Sequence, residues 1–256
     1  MIKLRAVECL PFIGTINPIR IFIIKFMSAY IKFSVCISMM LWSGIFSLKA
    51  QDWPNLKRYE EANQQINRTN APDNRVVFMG NSITEGWVSA DPDFFEKNNF
   101  IGRGISGQTT PQMLLRFRQD VIDLNPVAVV ILAGTNDIAG NTGPMTTEQI
   151  FDNIVSMVEL AKANDIQVII SSILPAANYP WKPEVASVAP ILELNMMLKY
   201  YCKGKGLVYL DYFSAMANEE HGLPKALSQD GVHPTLEGYQ VMKPLALEAI
   251  KNVLQN

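Results

Sequence analysis

The sequence predicts an α/β domain of three layers, with helices on both faces of a parallel β-sheet. Short apolar runs, rich in β-branched and aromatic residues, alternate with longer amphipathic stretches. The runs do not alternate apolar with polar residues, which is typical of strands buried on both faces of a parallel sheet. The predicted strands lie at 76–79, 100–101, 127–133, 168–174 and 207–210, and the predicted helices near 109–124, 147–163, 187–204 and 235–254.

The composition indicates one globular domain behind a basic N-terminal segment. The chain has 256 residues, of which 48% are hydrophobic and 18% charged, so neither a disordered nor a collagen-like chain fits. Residues 1–50 hold six basic residues and one acidic residue, whereas residues 51–256 hold 16 basic and 23 acidic residues. An acidic body gives no electrostatic basis for binding nucleic acid.

Residues 1–50 have the pattern of a secretory leader. An apolar run from Phe33 to Phe46 follows Lys25 and Lys32, and a small residue, Ala50, stands at a suitable cleavage position. We expect cleavage after about Ala50, which makes the protein secreted or periplasmic with no stable membrane association afterwards. An uncleaved anchor is the alternative. Met27 stands where an ordinary signal peptide begins, so residues 1–26 can be an over-long start.

The mature region, 51–256, is predicted to be a single domain. Residues 51–74 are polar and predict a helix and a loop leading into it. Cys9 and Cys36 fall in the leader, so Cys202 is left without a partner for an internal disulfide. We expect Cys202 to be a small buried hydrophobic residue.

Polar segments follow the predicted strands, and parallel sheets bind their ligands at the carboxyl ends of the strands. The first such segment places Ser82 at a turn from strand to helix, where its hydroxyl can serve as a nucleophile. Gly80 lets the chain bend tightly there. The alternative is a serine that only caps the helix.

The second segment, Gly102 to Gly107, matches the glycine pattern G-x-G-x-x-G of dinucleotide sites. That motif needs an acidic residue at the end of the next strand, which instead ends in Ala133 and Gly134. A turn that brings backbone N–H groups beside Ser82 is the preferred interpretation, and a plain turn is the alternative.

The third segment contains Asn136, whose side-chain amide can point into the same site. Acyl transfer develops a negative oxygen that needs two or three preorganised donors. The N–H groups of Ser82 and Gly107 and the Asn136 amide are predicted to form this oxyanion hole. Ordinary turn chemistry is the alternative for Asn136 and the adjacent Asp137.

The fourth segment, Asp230-Gly231-Val232-His233-Pro234, supplies a base for Ser82. His233 can accept the serine proton, and Asp230 can fix the imidazole tautomer and stabilise the imidazolium. The other histidine, His221, is expected to be a solvated loop residue.

These four segments resemble blocks I, II, III and V of the SGNH or GDSL-like lipase/acylhydrolase family. The resemblance implies Ser82 as nucleophile, Gly107 and Asn136 as oxyanion residues, and Asp230 with His233 as the remaining catalytic pair. It also implies a flavodoxin-like sheet of five parallel strands. The chain departs from the family pattern at Asn81, where the family has aspartate, and we expect the asparagine to serve the same turn.

The predicted reaction is ester hydrolysis through an acyl-enzyme, without metal or cofactor. No long apolar insertion separates the four segments, which favours a short acyl group, and export favours acetylated carbohydrate over other small-molecule esters. The segment 179–181, Tyr-Pro-Trp, follows the fourth strand and can stack on a sugar ring or merely pack as a loop. A lysophospholipase or platelet-activating-factor acetylhydrolase-like lipid esterase is the alternative, and a non-catalytic carbohydrate-binding domain is the second. The oligomeric state is not indicated.

Overall fold

The computed structural model describes residues 18–43, 51–67 and 74–255. The chain divides into two compact units between Gln51 and Asp52. In the first unit, helix α1 spans Pro18–Ser43, and the predicted cleavage position at Ala50 lies outside the described residues. In the described part of the chain, no helix combines the length and apolar character needed to cross a membrane.

The second unit alternates strands and helices, as the sequence predicts. Its helices lie on both faces of one sheet, which confirms the three-layer α/β class. The strands are β1 (Val76–Gly80), β2 (Phe100–Gly104), β3 (Ala128–Leu132), β4 (Gln167–Ser171) and β5 (Val208–Leu210), and the helices are α2 (Glu60–Asn67), α3 (Ser82–Ala90), α4 (Pro92–Glu96), α5 (Thr110–Asp120), α6 (Thr135–Ile138), α7 (Thr147–Lys162), α8 (Val188–Lys205), α9 (Tyr212–Met216) and α10 (Leu236–Leu254).

The five strands form one all-parallel sheet in the order β2-β1-β3-β4-β5. Val76 of β1 pairs with Phe100 of β2 on one side and with Ala128 of β3 on the other. This is the flavodoxin-like order. The chain adds β2 on one side of β1 and then adds β3, β4 and β5 on the other side, so the direction in which strands are added reverses beside β1. The carboxyl ends of β1, β2 and β3 therefore lie side by side.

The strands are apolar throughout because both faces of the sheet are covered. Val77 and Met79 belong to the core beneath α5, α7 and α8, whereas Val76 and Phe78 belong to the core beneath α3 and α10. β1 and β3 are buried at every position. Successive side chains of a strand point to opposite faces, so a strand between two helical layers needs no polar alternation.

Three elements differ from the predicted bounds by three residues or more. The fourth strand, predicted over 168–174, spans Gln167–Ser171 and so ends three residues early. The helix predicted over 109–124 ends at Asp120 and continues as a 3-10 turn over Ile122–Leu124, closed by Asn125 with a left-handed backbone. The second strand runs to Gly104, beyond its two apolar residues, because it pairs with β1 along its whole length.

Residues 52–67, which come before β1 in the chain, form a structured arm. Its N-terminal part holds a 3-10 turn at Leu56–Tyr59, followed by α2. Residues 52–67, the N-terminal arm, thus contain the helix that the sequence predicts, and they belong to the same compact unit as the sheet.

Candidate active site

Ser82 is the first residue of α3, directly after β1. Its neighbour Asn81 caps the helix, since the Asn81 side-chain oxygen accepts the Ile83 N–H at 3.0 Å. Asparagine therefore performs the turn role expected at this position in spite of the missing carboxylate. Because Asn81 is the cap, the Ser82 hydroxyl is not used for capping. It lies in a half-buried position at the carboxyl edge of the sheet.

His233 and Asp230 come from the loop that precedes α10. The Ser82 Oγ lies 2.9 Å from His233 Nε2, and His233 Nδ1 lies 2.7 Å from Asp230 Oδ2. The structure thus brings together three side chains that the sequence separates by up to 151 residues. The three side chains are joined in one hydrogen-bonded chain, and this geometry fits the predicted roles of nucleophile, base and orienting carboxylate.

The Asp230 carboxylate closes the turn that carries His233. Asp230 Oδ1 accepts the backbone N–H groups of Val232 at 2.9 Å and His233 at 2.8 Å. The Ser228 hydroxyl lies 2.8 Å from the His233 carbonyl oxygen. The ring of His233 is therefore held from both its backbone and its Nδ1 atom.

The same contacts set the charge of Asp230. Partial burial acts to raise the pKa of this carboxyl, but hydrogen bonds from the His233 backbone and ring and from the Val232 N–H together lower it to about 2. Asp230 is thus a carboxylate at neutral pH and accepts the proton on Nδ1. The neutral imidazole then carries its lone pair on Nε2, facing the Ser82 hydroxyl.

The predicted oxyanion residues come from the ends of β2 and β3. Gly107 has a backbone φ of +77°, a left-handed conformation that favours glycine. Asn136 is buried, and its Nδ2 donates one hydrogen to the Gln108 carbonyl at 2.9 Å. An amide nitrogen has a second N–H, which can face a substrate oxygen. The role of these residues remains a prediction.

The glycine pattern after β2 has a packing explanation. A Cβ on Gly104 would lie 2.2 Å from the backbone nitrogen of Glu85, so only glycine lets α3 approach β2 this closely. This close approach accounts for the second glycine of the pattern without a bound nucleotide.

A buried arginine that was not among the predicted site residues links the first two segments. The guanidinium of Arg116 donates to the carbonyls of Gly80 and Arg103, both at 2.9 Å, and to the Gln108 side chain at 2.6 Å. It also pairs with Asp120 at 2.9 Å. Burial lowers the pKa of Arg116. A detectable signal was the pair of opposite charges at Arg116 and Asp120, spaced four residues apart on one helix.

The two aromatic residues of the segment after β4 differ in exposure. Tyr179 is fully buried, and its hydroxyl lies 3.0 Å from Thr135 Oγ1, so loop packing is the interpretation that holds for this residue. Trp181 is 42% exposed, and its ring centre lies 6.0 Å from that of His233 at an angle of 35°. Its indole N–H donates to Asn141 Oδ1 at 3.3 Å. One aromatic side chain therefore borders the site.

The remaining candidates lie outside this site. His221 is exposed in a loop, as expected. Cys202 is buried, and burial raises the pKa of its thiol to about 12, which agrees with a packing role. Among residues 18–43, 51–67 and 74–255, no three His, Cys, Asp or Glu side chains cluster closely enough to hold a metal ion.

A flavodoxin-like sheet with a hydrogen-bonded Ser–His–Asp set at its carboxyl edge defines the class of α/β serine hydrolases. Residues 78–241 match the model of the GDSL-like lipase/acylhydrolase family. This match covers more than half of the chain, so the chain belongs to that family, as the four segments indicated. Membership places it among the ester hydrolases.

Two solved Bacteroides structures are similar over nearly their whole length. A B. fragilis protein assigned to the acylhydrolases is 50% identical with a TM-score of 0.77, and the alignment covers 80% of this chain and 99% of that one. A GDSL-like lipase from B. thetaiotaomicron is 48% identical with a TM-score of 0.74, over 78% of this chain and 98% of its own.

A curated relative is similar over a shorter stretch. The uncharacterized lipoprotein YqeF of Bacillus subtilis is 36% identical in an alignment 117 residues long, and the match covers 39% of this chain and 48% of the relative. The chain thus spans about half the length of that relative.

Proposed function

We propose that this protein is an exported serine esterase that hydrolyses short-chain esters, acetyl esters of carbohydrates above all. The observation that carries the proposal is the continuous hydrogen-bonded chain from Ser82 through His233 to Asp230, at 2.9 and 2.7 Å. Such a chain has a chemical use only where a hydroxyl must lose its proton while it attacks an electrophile.

The proposed reaction has two halves. Ser82 Oγ attacks the ester carbonyl while His233 Nε2 takes its proton, and the tetrahedral oxyanion is bound by the Ser82 and Gly107 N–H groups and the Asn136 amide. The imidazolium then gives its proton to the departing alcohol, which leaves an acyl-serine. Water, deprotonated by His233, attacks this ester and releases the carboxylic acid and the free Ser82 hydroxyl.

The test of this mechanism is the Ser82→Ala variant assayed on p-nitrophenyl acetate. We expect turnover to fall to the background rate while the melting temperature stays close to that of the wild type. Ser89→Ala is the matched control, because Ser89 lies on the same helix, is exposed, and donates its hydroxyl to the Glu85 carbonyl of its own helix. Full activity in the Ser82 variant would refute the proposal.

Two features of the site favour a carbohydrate alcohol over a lipid. The exposed Trp181 ring stands beside His233, where the leaving alcohol must receive its proton. A flat exposed indole is suited to stack against a sugar ring. A cleft of about 350 Å³ lies beside Asp230, and its lining includes polar side chains that suit sugar hydroxyls: Asn178, Asn218, Glu220, Lys225 and Gln229.

The substrate class is tested by acetate release from a panel of acetylated polysaccharides, with lysophospholipid and longer-chain p-nitrophenyl esters as competitors. Trp181→Ala is expected to raise KM for the acetylated sugar several-fold and to leave the turnover of p-nitrophenyl acetate nearly unchanged. Preference for the lysophospholipid or for long acyl chains would replace the carbohydrate assignment with the lipid one. Binding of the polysaccharide without any ester turnover would favour the non-catalytic alternative.

Export is part of the proposal and rests on the basic and apolar leader, with a lipoprotein among the relatives as support. Mass spectrometry of the protein recovered from the native host tests it. A mature N-terminus at Gln51 is expected, and a protein that retains residues 1–50 inside the cell would contradict it.

A further inference from the structure

Glu85 contacts the predicted oxyanion loop, residues 105–109, from one side. Its Oε2 accepts the Ser106 backbone N–H at 2.8 Å and the Ser106 hydroxyl at 2.5 Å. Glu85 lies on α3, three residues after Ser82, so its carboxylate connects the helix that carries the nucleophile with the loop that carries Gly107. Charge-assisted hydrogen bonds of this kind are stronger than neutral ones.

Asn141 contacts the same loop from the other side. Its Nδ2 donates to the Gly107 carbonyl at 3.2 Å. The Gly107 N–H therefore lies between two anchored points, the Ser106 N–H and the Gly107 carbonyl. Glycine at a φ of +77° imposes little stiffness of its own, so the direction of that N–H depends on these anchors.

The N-terminal arm holds Glu85 in place. Arg58 Nη2 donates to Glu85 Oε1 at 2.7 Å, which leaves Oε2 for Ser106. Burial acts to raise the pKa of Glu85, but the hydrogen bonds from Ser106 and Arg58 lower it, so the group is a carboxylate at neutral pH.

The arm also reaches both ends of the loop directly. The Pro54 carbonyl accepts the Gln108 side-chain N–H at 2.7 Å, and the Tyr59 hydroxyl donates to the Gly104 carbonyl just before the loop. The arm is therefore hydrogen-bonded directly to Gly104 before the loop and to Gln108 after Gly107, and it reaches Ser106 through Glu85.

We propose that Glu85, held by Arg58 of the N-terminal arm, is a positioning residue that aims the Gly107 N–H at the developing oxyanion. The inference rests on the proposed function, because it assigns that N–H to the oxyanion hole. The arm then belongs to the catalytic apparatus and is more than a connection to the leader.

A positioning role predicts a specific kinetic pattern. Removing an oxyanion donor costs about 10²–10³ in rate, and misdirecting one costs less, so Glu85→Ala is expected to lower kcat about 10- to 100-fold. KM should stay within about threefold, because an oxyanion donor acts mainly on the transition state. Glu85→Gln keeps an acceptor oxygen for the Ser106 N–H and should recover part of the lost kcat.

An inhibitor that forms a tetrahedral adduct with the serine gives a second readout. A variant that is merely less stable would not weaken inhibition in proportion to its loss of kcat/KM. An alkyl trifluoromethyl ketone adds to the serine and forms an oxyanion, so its inhibition constant should rise in the variants by the same factor as kcat/KM falls. Glu193→Ala is the matched control, since that glutamate accepts the Thr147 hydroxyl at 3.0 Å on a different pair of helices. It should match the wild type in both readouts.

Arg58→Ala tests the arm if Glu85→Ala folds poorly, because the Arg58 side chain is 49% exposed. We expect a kcat loss of about three- to tenfold, with recovery in Arg58→Lys, which restores the positive charge. The inference is overturned if kcat and the inhibition constant in both Glu85→Gln and Arg58→Ala equal the wild-type values while Ser82→Ala is inactive. Activity retained in Ser82→Ala would instead overturn the proposed function itself.

Discussion

Replacing Asp230 by asparagine reverses the hydrogen-bond polarity at one atom of the site. The amide oxygen of the new side chain can still accept the N–H groups of Val232 and His233, which Asp230 accepts at 2.9 and 2.8 Å, so the turn survives. The amide nitrogen, however, replaces Oδ2 at 2.7 Å from His233 Nδ1. Two donors then face each other unless the imidazole moves its proton to Nε2, and in that tautomer Nε2 cannot accept the proton of Ser82.

The size of the effect follows from the exposure of the pair. In buried catalytic triads this substitution lowers kcat about 10⁴-fold. The Asp230 and His233 side chains are 43% and 39% exposed, so water can partly replace the lost acceptor and weakens the ion pair. We therefore expect kcat/KM to fall about 10³-fold, which corresponds to about 4 kcal/mol of transition-state stabilisation.

The assay is kcat/KM on p-nitrophenyl acetate between pH 5 and pH 9, with the melting temperature measured alongside. Asp93→Asn is the control, because the Asp93 carboxylate pairs with Lys97 on an exposed helix surface away from the site residues. Since the pKa of Asp230 is about 2, the carboxylate is ionised throughout this range and its own titration does not shape the wild-type profile. Its contribution to stability is present above about pH 4 and is lost as the pH falls toward 2. A loss below tenfold at every pH would refute the tautomer argument.

Two further predictions concern neighbouring residues after β3. Asn136→Ala should lower kcat about 10²- to 10³-fold on p-nitrophenyl acetate with little change in KM, and a loss under threefold would remove Asn136 from the oxyanion hole. Asp137 is buried, its Oδ2 has no hydrogen-bond partner among the described residues, and burial raises its pKa to about 6. The wild-type free energy of unfolding should therefore fall, relative to Asp137→Asn, by about 2 kcal/mol as the pH rises from 4 to 7. Urea unfolding measures this free energy for both proteins. A difference between the wild type and Asp137→Asn that stays the same at every pH in that range would contradict the prediction.

The strand predictions succeeded because burial on both faces of a parallel sheet leaves a local mark in the sequence. Val77 and Phe78 face opposite cores yet must both be apolar, so the run is visible without any knowledge of its partners. The positions of Ser82, Gly107 and Asn136 were predictable for a related reason. Parallel topology places the residues after each strand at the same edge of the sheet.

The site residues that the sequence did not reveal act through contacts between distant parts of the chain. Arg116 looks like an ordinary helix residue until its guanidinium is seen on the Gly80 carbonyl, 36 positions away. Glu85 and Ser106, 21 positions apart, reveal their pairing only when α3 packs on β2. In the same way, Tyr179 and Trp181 have similar side chains, but one is buried against Thr135 and the other is exposed beside His233.

The sequence by itself determined the three-layer class, the order of strands and helices, and which segments carry the predicted nucleophile, base and oxyanion donors, because these depend on local apolar patterns and on residue chemistry. Only the tertiary structure decided how those groups are aimed, which aromatic ring remains exposed, and that the N-terminal arm is hydrogen-bonded to the predicted oxyanion loop. The direction of a hydrogen bond depends on angles and on partners far away in the chain, and no local pattern of residues records them.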